Sequence, residues 1–104
     1  PDPDAVIRPA VEGLLLALNE QVAVAVECKS HLSLDDVNAH LVRLDTFKDC
    51  FPQYRAYQLL GAVAGMVVPD QVARFAYRKG LFVLAQSGQA IEIRNDARFQ
   101  PRTW

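Results

Sequence analysis

Apolar residues along this chain fall into runs and stripes whose spacing predicts its elements. Leu14 to Leu18 is one apolar run and Val22 to Val26 another, with Asn19-Glu20 between them. Two such runs joined by two polar residues predict an antiparallel hairpin turning at Asn19-Glu20. The second run continues to Ser30 as Val22-Ala23-Val24-Ala25-Val26-Glu27-Cys28-Lys29-Ser30. Side chains alternate across a strand, so Glu27 and Lys29 share a face with Ala23 and Ala25, while Val22, Val24, Val26 and Cys28 take the other. A strand apolar on both faces belongs in the middle of a sheet.

The pattern then changes period. Val37, Leu41, Leu44, Phe47 and Phe51 recur at helical spacing, with Arg43, Asp45, Lys48 and Asp49 on the opposite side. Ser33 followed three residues later by Asp36 is a helix start, and Pro52 stops the helix, which is predicted over Leu34 to Cys50. Tyr57 to Val68 reads as a second long strand, broken only by Gly61 and Gly65. Pro69-Asp70 opens a further helix that Gly80 ends. Leu81 to Ala85 and Ala90 to Arg94 read as short strands about a Ser87-Gly88 turn, and Gln100 to Trp104 as a tail. At the other end, Ala5, Val6, Ile7, Ala10 and Val11 predict a short helix from Asp4 to Gly13.

Strand, helix, strand between Val22 and Val68 is a right-handed crossover, which makes those two strands parallel. The expected architecture is a single three-layer α/β domain over residues 1–104, with a mixed sheet between helices. Its 104 residues, 51% hydrophobic and 22% charged, suit one globular core. The net charge of −1 gives no global field to draw in nucleic acid, so such binding would rest on a local patch or a dimer groove. No apolar run reaches the roughly 18 residues of a membrane span, and a cytoplasmic protein is expected. Cys28 and Cys50 form no Cys-x-x-Cys pair and are expected as reduced, buried thiols. The chain opens at Pro1, which reads as a fragment.

Chemistry concentrates at Glu27-Cys28-Lys29. Two charges closing a buried strand are costly unless they pair, bind something or emerge into a cleft, and clefts at strand ends are where α/β proteins act. By itself a Glu-x-Lys is more often an edge salt bridge.

In this setting the chain resembles the PD-(D/E)xK nuclease superfamily, in particular an uncharacterised prokaryotic group within it that often carries an N-terminal coiled coil. The resemblance rests on Val26-Glu27-Cys28-Lys29-Ser30, Phe47-Lys48-Asp49-Cys50-Phe51-Pro52, Gly61-Ala62-Val63-Ala64-Gly65-Met66 and Arg78-Lys79-Gly80-Leu81-Phe82-Val83-Leu84. It implies a restriction-endonuclease-like fold and a Mg²⁺- or Mn²⁺-dependent nuclease hydrolysing DNA phosphodiesters. Glu27 would be a catalytic residue and metal ligand, and Lys29 the catalytic lysine beside the attacking water. DNA and a second copy of the chain would be the partners. His31, Arg43 and Lys48 are candidate contacts to a nucleic-acid backbone, against a default of solvated positions; His40, on a helix flank, is expected to be structural or exposed.

The family also expects an acidic ligand near the start of the first hairpin strand. Counting back from Glu27 across the turn, that place falls on Gly13 or Leu14, and neither binds a metal; Glu12 is the nearest acid. Two explanations follow: an acid-bearing segment is missing between Gly13 and Leu14, the favoured expectation, or the site has decayed. In the second case the domain is a catalytically inactive module for protein or nucleic-acid interaction, with Glu27 and Lys29 left as a salt bridge. A carboxylate neighbouring Glu27 favours the nuclease, and apolar neighbours favour the module.

Overall fold

A computed structural model describes the backbone of residues 6–11 and the whole of residues 13–104. Six strands form one sheet in sequence order: β1 (Val6–Val11), β2 (Leu14–Leu18), β3 (Val22–His31), β4 (Gln58–Val67), β5 (Phe82–Ser87) and β6 (Ala90–Ile93). β3, β4 and β5 are mutually parallel; the remaining pairs are antiparallel. Helix α1 (Leu34–Cys50) crosses from β3 to β4, and α2 (Asp70–Arg78) from β4 to β5. The predicted parallel pairing of β3 with β4 under a helical crossover is therefore what the structure has.

Both crossovers step the same way along the sheet, so right-handedness puts both helices on one face, where they touch each other. The core lies between that face and the helices. Leu14, Leu16, Ala25, Val63 and Val83 meet Val37, Leu44 and Phe47 of α1 and Val72 and Ala76 of α2. α1 begins as its sequence dictates: Ser33 Oγ accepts from the Asp36 amide at 3.1 Å, and the Ser33 amide donates to Asp36 Oδ2 at 3.0 Å. Gly61 lets α1 lie close, since a Cβ there would sit 2.5 Å from Leu44 Cδ1 and 2.7 Å from Leu81 Cδ2. The C-terminal segment is seated rather than loose. The Trp104 amide donates to the Leu59 carbonyl at 2.9 Å, and its indole Nε1–H to Asp45 Oδ1 at 3.2 Å.

Several expectations are corrected. Val6–Val11 is an edge strand, not part of a helix: Pro9 would break a helix interior but is tolerated on an edge, and β-branched Val6, Ile7 and Val11 favour extension once β2 is there to pair with. With both helices on one face, the described residues form two layers, not the three expected. The first hairpin turns at Glu20-Gln21, one position later than expected, because the Asn19 side chain accepts from the amides of Gln21 and Val22. The last hairpin turns at Gly88-Gln89, with Gly88 at φ +61°. Cys28 is half-buried and Cys50 exposed, both free, rather than two buried thiols. The second face of β3, expected to be covered, is half open. No helix of the described residues is long and apolar enough to cross a membrane.

Candidate functional site

β3 carries Glu27 onto the helix-facing side near its C-terminal end, where the side chain is only 7% exposed. Its two carboxylate oxygens meet two cations. Arg43 reaches down from α1 and donates from one guanidinium nitrogen to Oε2. Lys29, two residues along the strand, places Nζ 3.8 Å from Oε1. The same ammonium lies 4.0 Å from Oδ1 of Asp36, whose other oxygen caps α1. The helix cap and the strand end thus join in one chain of alternating charge, Arg43, Glu27, Lys29, Asp36.

The paired positions on the two neighbouring strands are apolar. Leu14 lies directly across β2 from Glu27, and Val63 directly across β4, both fully buried. Gly13 leads into β2 at φ +79°, and a Cβ on it would stand 3.3 Å from Glu27 Oε1, so the glycine leaves room for that carboxylate. The Gly13 carbonyl also accepts from the Cys28 amide at 2.8 Å, extending the ladder past the strand end. Burial, with a lesser contribution from the Glu27 charge, raises the Cys28 thiol above its usual range.

Behind this cluster sits a buried histidine. His40 Nε2 is 3.0 Å from the Ala25 carbonyl, which can only accept, so Nε2 carries the proton. Nδ1 is buried with no hydrogen-bond partner. Desolvation lowers the His40 pKa; it outweighs the carbonyls of Ala25 and Ala62 and the Glu27 charge, which pull upward, while Arg43 adds to the lowering. Of the two places foreseen for His40, it takes the structural one.

The sequence-predicted residues are brought together only in part. Glu27 and Lys29 share one face as the alternation requires. Arg43 joins them, which spacing did not reveal; the available signal was its place one turn past His40, beside the buried Leu44. His31 is exposed at the end of β3, in a hollow with the first turns of both helices. Lys48 lines a different groove, with Asp45, Asp49, Arg102 and Trp104. His31, Arg43 and Lys48 therefore form no continuous basic surface.

A Mg²⁺-class ion takes oxygen ligands, commonly one or two carboxylates with waters. Glu27 offers one carboxylate whose oxygens already face cations, beside Leu14 and Val63, and this donor set does not fit such an ion. Among the described residues no group of three or more His, Cys, Asp or Glu is placed to hold a metal. Glu12, the nearest acid in sequence, lies outside the described residues. No protein-family model matches the chain, and no curated protein or solved structure matches it.

Proposed function

We propose that this chain is a restriction-endonuclease-like domain that has lost its nuclease chemistry and serves as a protein-interaction module. The observation that carries the reading is Leu14. It occupies, buried, the position across from Glu27 where a second carboxylate would be needed. Beside it the Glu27 charge is neutralised by Arg43 and Lys29, an arrangement that holds α1 onto β3 rather than one that awaits a cation. Protein is favoured over nucleic acid as partner because the cations are scattered, the net charge is −1, and the face opposite the helices is apolar.

The competing reading is a Mg²⁺- or Mn²⁺-dependent DNA nuclease with Glu27 and Lys29 as its catalytic pair. One observation favours it: the two side chains sit together on the helix-facing side at the C-terminal end of a central parallel strand. It needs a second acid, and Asp36, which shares Lys29 with Glu27, is taken up in the cap of α1. Nicking of supercoiled plasmid in Mg²⁺ or Mn²⁺ separates the readings. The module reading predicts no metal-dependent nicking by the wild type. Nicking that disappears in both Glu27→Ala and Lys29→Ala would establish the nuclease instead.

A further inference from the structure

The two edges of the sheet differ. At β1, Pro9 has no N–H to offer and the register with β2 shifts between Pro9 and Val11, so that edge is blunted. At the other edge, β6 (Ala90–Ile93) pairs in unbroken register with β5, carries no proline or lysine, and is exposed along its whole length. In an antiparallel pair, residues that exchange both backbone bonds with their partners alternate with residues that turn N–H and C=O the other way. The Arg94 amide donates to the Val83 carbonyl at 2.8 Å, which fixes the phase. Ala85–Glu92 and Ser87–Ala90 are then the bonded pairs. Ile91 and Ile93, opposite Gln86 and Leu84, direct their N–H and C=O off the open edge. Among the described residues no partner reaches these four groups. The segment that follows does not cover them, because Asn95 turns back onto β5. Its Oδ1 accepts from the Val83 amide at 2.8 Å and its Nδ2 donates to the Leu81 carbonyl at 3.0 Å.

We infer that β6 is the docking edge of the interaction module proposed above, a reading on which this inference rests. Its partner is an extended peptide segment of apolar–basic–apolar sequence that adds to the sheet antiparallel to β6. Two donors and two acceptors, carried by residues ~6.7 Å apart along the edge, match the repeat of an extended backbone.

The side chains set the sequence. Residues opposite Ile91 and Ile93 lie on the open face, beside side chains 74% and 65% exposed, where β-branched apolar residues gain contact. The residue opposite Glu92 lies on the helix side. Glu92 bonds inward to Ala85, so with a strand on its outer side it forms the non-bonded kind of pair, in which side chains approach closest. The Glu92 side chain is 51% exposed, and the cation beside it, Arg94, also serves Asp70 and the Val68 carbonyl. A lysine or arginine opposite completes the pair. The same carboxylate opposes self-pairing: the antiparallel register of β6 on β6 that uses all four groups sets Glu92 against its own copy.

Fluorescence anisotropy of a labelled, end-capped Thr-Val-Lys-Val-Thr peptide titrated with the 104-residue chain tests this. The expected Kd is about 100 μM or tighter. In the inferred register the valine amides face β6 and the lysine amide faces away. N-methylation of both valines should weaken binding at least ~10-fold, and N-methylation of the lysine should leave it within ~2-fold. Ile91→Pro removes one outward donor and no ladder bond, and should weaken binding ~5-fold or more with far-UV circular dichroism unchanged. If that variant misfolds, the two methylated peptides decide the matter on the wild type. Glu92→Lys should weaken binding roughly 3-fold or more, and a peptide with glutamate in place of lysine should restore it. No binding at ~1 mM chain overturns the inference, as does equal sensitivity or equal indifference to the two methylations. Self-association of the wild type that Ile91→Pro abolishes overturns it too, since a second copy then takes the edge. Metal-dependent nicking would instead remove the module reading, so the two failures are told apart.

Discussion

His40 shows what one buried side chain imposes on the whole chain. Its ordinary pKa is 6.5, and desolvation lowers it in the fold, so the unfolded chain binds the proton more readily. Stability is therefore full above about pH 6.5 and falls as the pH drops below that value toward the depressed folded pKa. Urea denaturation at stepped pH should show this acid-side loss, and His40→Met should flatten it; an unchanged slope in that variant would assign the loss to other groups. The ion pairs are unequal for similar reasons. Lys29 is 45% exposed, so Lys29→Ala should cost no more than about 1 kcal/mol. Arg43→Ala leaves the buried Glu27 carboxylate without its hydrogen-bond donor and should cost about 1–3 kcal/mol. If Lys29 proves the costlier of the two, the weight given to Arg43 is misplaced.

Among the elements, the contact of α1 with β4 depends on the missing side chain of Gly61. Gly61→Ala should destabilise by about 1–3 kcal/mol, because the methyl enters space held by Leu44 and Leu81. A neutral result in thermal melts would mean that α1 can shift outward at little cost. Where an element's signal is local, the sequence showed it. Ser33, Asp36 and Pro52 bound α1 to the residue, and the apolar runs located β2 and β3. Where tertiary pairing decides, the sequence misled. Residues 6–11 carry enough apolar spacing to pass for a helix turn and a half, but β2 offers an edge, and Pro9 with its β-branched neighbours accepts it. The candidate site was legible at Glu27 and Lys29 because strand alternation is strictly periodic. Arg43 was not, because its contact depends on how α1 lies over β3, and helical spacing alone read it as a solvated position.

At the scale of the whole molecule, the described residues place two helices on one face of a six-stranded sheet, leaving a largely apolar surface on the other and a charge cluster at one end of the central strands. The central claim is that Glu27 no longer belongs to a metal site because Leu14 stands where the second carboxylate would be. Calorimetric titration with Mn²⁺ tests it most directly. The wild type should bind no ion at Glu27, its titration being indistinguishable from that of Glu27→Gln. Leu14→Asp should gain a site, since a directly opposed strand pair sets its Cβ about 5 Å from that of Glu27, within reach of a shared ion. Mn²⁺ binding by the wild type that Glu27→Gln abolishes would contradict the account.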